Sequence, residues 1–129
     1  MDEKKYKILI IDDDKFLLNM YSAKFKRFGH EVEVLTSAES AIEKIRGGYA
    51  PDIIVVDIVM SFMDGLGFLE VIRKENLASK SVIIMLTNQG GIPEIEKAKS
   101  MGVHGYIVKA TSIPSEVVEM VLKITKDNL

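Results

Sequence analysis

The chain has 129 residues, a formal net charge of −2 and 47% hydrophobic side chains, which describes one ordinary domain with material for a buried core and no basic excess for nucleic acid or an anionic membrane. It contains no cysteine, which excludes disulfides, thiolate metal sites and thiol nucleophiles. The opening Met1–Lys7 segment leads into no apolar stretch of signal-peptide length, and nothing approaches the roughly 20 apolar residues of a membrane span, so the expectation is a soluble, cytoplasmic single domain over residues 1–129.

Ile8-Leu9-Ile10-Ile11 runs without alternation into Asp12-Asp13-Asp14. Such a run reads as a strand covered on both faces, the kind found in parallel sheets. Leu17, Met20, Tyr21, Phe25 and Phe28 then recur at three- and four-residue steps, predicting a helix that Gly29 stops. Val32-Glu33-Val34-Leu35 alternates and carries charge, which suits an edge strand. Thr36 or Ser37 caps the next helix, Thr36 with Glu39 having the capping-box spacing; Ala41, Ile42 and Ile45 face inward and Gly47-Gly48 ends it. Ile53-Ile54-Val55-Val56 is a second run without alternation, and it stops at Asp57. After a loop through Ser61-Phe62-Met63-Asp64-Gly65, a helix bearing Leu66, Leu69, Val71 and Ile72 extends to about Asn76. Val82-Ile83-Ile84-Met85-Leu86 is a buried strand ending at Thr87, and Asn88-Gln89-Gly90-Gly91 is the loosest stretch, because paired glycines impose little backbone restraint. Pro93 suits the first turn of a short helix through Ile95 and Ala98. Gly102 to Gly105 turns the chain into Tyr106-Ile107-Val108, which ends at Lys109. Pro114 opens a last helix with Ile113, Val117, Met120, Val121 and Ile124 on one stripe.

Strands are thus expected at about 7–11, 31–35, 52–56, 82–87 and 105–108, each followed by a helix. Strict alternation argues for an α/β fold of the flavodoxin-like doubly wound (βα)5 type, a parallel five-stranded sheet with helices on both faces and right-handed crossovers. The common order for five units, 2-1-3-4-5, makes strands one and three neighbours at the switch point, where open α/β folds place their sites. That order sets Asp12, Asp13 and Asp57 beside each other.

Three carboxylates at one edge repel and do not stay ionised together without a cation. Oxygen donors without His or Cys favour a hard ion, Mg²⁺ before Ca²⁺ or Mn²⁺, and Mg²⁺ commonly shares its positions with a phosphate. Neighbouring strand ends offer a hydroxyl in Thr87 and a cation in Lys109, which suits phosphoryl transfer by positioning and charge neutralisation. Asp57, alone on the central strand, is the best acceptor for an aspartyl phosphate. Taken singly, Asp14 is a helix-start acid offsetting the dipole, Lys109 a surface lysine, Thr87 a hydroxyl bonded to backbone and Tyr106 an amphipathic strand residue. Their coincidence at four of five strand ends favours the joint reading.

Ile10-Ile11-Asp12-Asp13-Asp14, Val55-Val56-Asp57 with Met63-Asp64-Gly65, Leu86-Thr87 and Gly105-Tyr106-Ile107-Val108-Lys109 resemble the receiver domain of two-component response regulators over nearly the whole chain. The resemblance implies that Asp57 is the phosphoacceptor, taking a phosphoryl group from a phosphohistidine on a sensor histidine kinase or phosphotransfer protein. It implies that Asp12 and Asp13 are the Mg²⁺ acids, with Asp13, Asp57 and the Val59 carbonyl as direct ligands. Thr87 and Lys109 hold the phosphoryl oxygens, Tyr106 is the aromatic switch, and the response appears on the surface of the fourth helix, fifth strand and fifth helix. The downstream protein target and a phosphorylation-dependent homodimer are left open by it. In the family a proline usually follows the lysine, often through a cis bond, whereas Ala110 follows Lys109 here; a non-proline cis bond costs about 3–4 kcal/mol, so trans is expected. Ser61 stands where a proline is common, an exchange expected to loosen that loop slightly. Val59 and Gln89 occupy the positions that tune phosphoryl lifetime in the family.

Other readings compete. An Mg²⁺-dependent aspartate-nucleophile phosphatase needs a second Asp two residues after the nucleophile, where this chain has Val59. A nucleotide or flavin carrier needs a glycine fingerprint, but Gly65-Leu66-Gly67 meets Glu70 at the third glycine position. A receiver-like interaction module without phosphorylation would not need the full set of site residues. His30 and His104 read as isolated loop residues with no ligand role.

Overall fold

A computed structural model describes residues 4–88, 92–109 and 113–128. The Gln89-Gly90-Gly91 stretch and the Lys109–Ala110 bond lie outside the described residues. The chain alternates strictly: β1 (Lys7–Ile11), α1 (Lys15–Arg27), β2 (Glu31–Leu35), α2 (Ala38–Arg46), β3 (Ile53–Asp57), α3 (Gly65–Lys74), β4 (Val82–Thr87), α4 (Ile92–Ser100), β5 (Gly105–Val108) and α5 (Pro114–Asp127). All strand pairs are parallel, in the order β2-β1-β3-β4-β5.

The apolar runs explain the layering. Successive strand side chains point to opposite faces, so a strand covered on both sides must be apolar at every position. Leu9, Ile11, Ile54, Val56, Ile83 and Met85 face one layer with Ala41 and Ile45 of α2, Phe68, Leu69 and Ile72 of α3, and Ala98 of α4. Ile8, Ile10, Ile53, Val55, Ile84 and Leu86 face the other with Leu18, Tyr21 and Phe25 of α1 and Val117, Val118 and Val121 of α5. β2 lies at the sheet edge, as its alternation requires.

Several local expectations are corrected. β3 runs Ile53–Asp57, one residue later than expected: Asp52 bonds the Lys7 carbonyl and the Val82 N–H through its backbone and the Lys7 N–H through its carboxylate, but the paired register starts at Ile53. Asp57 is therefore itself a strand residue, paired with Leu86. Of the two candidate caps Thr36 and Ser37, it is Ser37 that caps α2; its extended backbone aims its hydroxyl oxygen at the Ser40 N–H. α3 ends at Lys74, since Asn76 has a left-handed backbone. Phe28 and Ile113 lie just outside their helices and are exposed, and Met120 points to solvent. The α5 stripe is instead Val117, Val118, Val121 and Thr125. Gly29 does take the left-handed conformation, φ 87°, that closes α1.

Candidate functional site at the switch point

β1 and β3 are hydrogen-bonded neighbours, with Ile11 opposite Val56. The residues that follow, Asp12 just past β1 and Asp57 as the last residue of β3, therefore stand side by side at the carboxyl edge of the sheet. Carboxylate oxygens of Asp12, Asp13 and Asp57 lie within 4.8 Å of one another. Asp12 and Asp57 are buried and Asp13 is exposed, so the pocket opens to solvent on the Asp13 side.

Each acid has its own partners. Asp12 Oδ1 accepts the Asp14 N–H at 2.9 Å, and its Oδ2 accepts from Lys109 Nζ at 3.0 Å. Asp57 Oδ2 lies 3.3 Å from the same ammonium, and its Oδ1 accepts a long 3.4 Å bond from the Val59 N–H. Asp13 Oδ2 accepts from Ser61 N–H at 3.2 Å and from Ser61 Oγ at 3.4 Å. Asp14 stays out of the trio: it caps α1, accepting from the Phe16 and Leu17 N–H groups.

Lys109 is not a surface lysine. Its side chain is 6% exposed, bridging Asp12 and Asp57 from the end of β5. Burial works against its charge, but the Asp12 and Asp57 contacts prevail and hold its pKa above the ordinary lysine value. The opposite holds for Asp57: burial first, then the Asp12 charge, push its carboxyl up to about 6, with Lys109 pulling only part of the way back.

Thr87 closes β4 one residue beyond the partner of Asp57 and is buried. Tyr106 lies on the edge strand β5, 39% exposed, with the Lys99 ammonium 5.2 Å from its ring centre. Val59, in the loop after β3, is exposed. That loop is set by close packing: a Cβ on Gly65 would stand 2.4 Å from the Asp57 carbonyl oxygen, so only glycine lets α3 start against the acceptor strand. Asp64 caps α3 through the Gly67 N–H.

Two features were missed in the sequence. Ser61, expected to loosen its loop, instead ties it to Asp13. His30 and His104 are not idle: at the opposite, amino end of the sheet their Nδ1 atoms accept the N–H groups of Tyr6, at 3.0 Å, and Ile83, at 2.9 Å. Burial, then Arg73, lowers the His104 pKa. A histidine before an edge strand gives no periodic signal for such a bond.

Fold and pocket together define a doubly wound α/β protein with a cluster of three carboxylates and one ammonium at its switch point. The response regulator receiver domain model matches residues 8–122, and the chain belongs to that family. Receiver domains bind Mg²⁺ through such an acidic cluster and are phosphorylated by histidine kinases or phosphotransfer proteins. Chemotaxis protein CheY1 of Helicobacter pylori is 31% identical over 120 residues, covering 90% of this chain and 96% of that protein. The probable transcriptional regulator ycf27 of Pyropia yezoensis is 32% identical over 117 residues, 91% of this chain but 46% of that protein. The chain thus spans about half the length of the regulators of that type. Among solved structures, chemotaxis response regulator CheY4 of Vibrio cholerae superimposes with a TM-score of 0.83 at 25% identity, covering 94% of this chain and 99% of that one. Among the described residues, no helix is long and apolar enough to cross a membrane.

Proposed function

We propose that the chain is a single phosphoacceptor receiver domain in which Asp57 takes a phosphoryl group from a phosphohistidine. The convergence of Asp12, Asp13 and Asp57 oxygens within 4.8 Å, with Lys109 bridging two of them, carries this reading. An Asp57 oxygen attacks phosphorus; the new P–O bond forms as the donor P–N bond breaks, and the electron pair leaves on imidazole nitrogen, which takes a proton from solvent. Attack needs the ionised carboxylate, and a pKa of about 6 leaves Asp57 ionised at neutral pH.

The donor set fits Mg²⁺, since it offers oxygens alone and keeps one face open. Asp13, Asp57 and the Val59 carbonyl are the proposed direct ligands. Asp12, fully buried and held at 2.9 Å by the Asp14 N–H and at 3.0 Å by Lys109, both shorter than the 3.4 and 3.3 Å contacts of Asp57, acts through water. Bound there, the ion neutralises charge on the transferring phosphoryl group. Lys109 and the Thr87 hydroxyl hold the product oxygens, and Tyr106 turns inward as Thr87 is drawn toward the phosphoryl group, altering the α4-β5-α5 face. A downstream protein reads that face, or a second copy pairs on it.

Val59 stands where an aspartate phosphatase carries its acid/base, and its exposed apolar side chain cannot transfer a proton. The chain is accordingly a stoichiometric acceptor and not an enzyme, and it works in the cytoplasm beside the phosphohistidine of its sensor kinase or phosphotransfer protein. Acetyl phosphate with and without Mg²⁺, followed by mapping of the modified residue, tests the assignment. Mg²⁺-dependent labelling of wild type that Asp57→Asn abolishes is expected; labelling that persists in this variant overturns it.

A further inference from the structure

We propose that Ser61 is a positioning residue for Asp13, and that its backbone N–H sets the affinity of the acidic pocket for a divalent cation. This rests on the reading of Asp12, Asp13 and Asp57 as a cation pocket. Asp13 is the exposed member of the trio. Asp12 is fixed by Asp14 and Lys109, and Asp57 by its place in β3 and by Lys109. An exposed carboxylate on a loop otherwise samples several rotamers, and holding it toward the pocket costs entropy on each binding event. Ser61 removes that freedom from a position 48 residues away in sequence.

Both Ser61 donors converge on one oxygen, Oδ2, so Oδ1 keeps its full acceptor capacity for a cation. The N–H contact, at 3.2 Å, is the shorter; the hydroxyl contact, at 3.4 Å, is at the long limit of a hydrogen bond. The backbone therefore carries most of the effect, and it is the group that proline alone among the residues lacks. The next residue is held in place at some cost. Phe62 has a left-handed backbone, φ 65°, with a side chain 97% exposed, so its own packing does not offset the strain. The turn is oriented by what its neighbours bind, and Ser61 binds Asp13.

Hydrogen-bond partners of metal ligands typically change affinity about 10–100-fold when removed. Mg²⁺ titration by calorimetry on the full chain, repeated with Mn²⁺ read by electron paramagnetic resonance, is the test. Ser61→Pro, which loses both donors, is expected to weaken binding about tenfold, whereas Ser61→Ala and Ser61→Gly, which keep the N–H, stay within about threefold of wild type. Thermal melts without metal establish that each variant is folded. A second reading needs no proline: the Ser61 amide resonance of wild type shifts on adding Mg²⁺, and Asp13→Ala moves it upfield without metal. Equal affinity of Ser61→Pro and wild type, or an amide resonance indifferent to Asp13→Ala, overturns the Ser61 assignment alone. Absence of cation binding by wild type overturns the pocket reading and this proposal with it.

Discussion

Replacing Asp57 by asparagine in the metal-free protein raises its stability near pH 8 by up to about 3 kcal/mol. Burial and the Asp12 charge hold the Asp57 carboxyl at about 6, against an ordinary value of 3.8. At about 1.36 kcal/mol per unit, a separation of roughly two units is about 3 kcal/mol lost by the native state when Asp57 ionises. Because the native pKa lies above the unfolded one, the native state holds the extra proton between about pH 4 and 6. Wild-type stability therefore falls as pH rises through that window and stays lowered above it. Asparagine is neutral throughout, so the difference between variant and wild type is near zero below about pH 4 and complete by about pH 7. Urea unfolding in EDTA at intervals across this range measures it, with a constant slope m showing that both proteins unfold alike. The difference also cancels groups common to both. A pH-independent difference, or a variant less stable than wild type at pH 8, refutes the reasoning, since Lys109 would then outweigh burial. Mg²⁺ supplies a control: at 100 times its Kd it adds about 2.7 kcal/mol to wild type and little to the variant.

Lys109→Met leaves the buried Asp12 and Asp57 without their shared cation and is expected to cost about 3–5 kcal/mol at pH 7.5 without metal. Urea unfolding should show that cost shrink at pH 5, where Asp57 takes up its proton, and shrink again with Mg²⁺. Gly65→Ala drives a methyl group against the Asp57 carbonyl and the Ile58 Cα, which are backbone and cannot step aside. It should cost about 1–3 kcal/mol in thermal unfolding and slow acetyl phosphate labelling by moving the acceptor. Lys99→Ala removes the ammonium over Tyr106, a contact worth about 0.5–1 kcal/mol at an exposed site. The inward ring population, followed by nuclear magnetic resonance of labelled tyrosine, should rise about two- to fivefold; an unchanged spectrum refutes the idea that Lys99 holds the ring outward.

Strand order and the acid trio were legible because buried parallel strands write themselves as apolar runs. The runs ending at Asp12, Asp57 and Thr87 marked the carboxyl edge, alternation with helices made the sheet parallel, and the common 2-1-3-4-5 order for five units said which ends meet. Helix faces were less legible. Phe28, Ile113 and Met120 kept the helical period, yet the first two fall beyond a helix terminus and the third on the outer side, while Leu18 and Phe68, both buried, were overlooked. A period of 3.6 residues locates a stripe but not where the helix stops. Strand ends placed Lys109 at the pocket, but which atoms the site residues would pair with was not legible. Ser61 reaches Asp13 across 48 residues, and Lys109 reaches Asp12 across 97, through contacts that no spacing rule encodes.

These hidden partners decide how the pocket is poised. Three carboxylates against one ammonium leave a formal charge of −2 when all are ionised, which a divalent cation offsets. Before phosphorylation Lys109 is committed to Asp12 and Asp57 together, at 3.0 and 3.3 Å. A phosphoryl group on Asp57 replaces one carboxylate charge with a more highly charged acceptor bearing three oxygens. Lys109 then has a stronger partner on the Asp57 side, and Asp12 keeps its Asp14 hydrogen bond while losing part of its share of the ammonium. Under the proposed phosphorylation, competition between two acids would set where the Lys109 ammonium sits, and the end of β5 would feel the charge on Asp57 directly. Lys109, one residue past the edge strand β5, touches the acid of the central strand β3, and on the proposed reading that contact is the route by which β5 would report the state of Asp57.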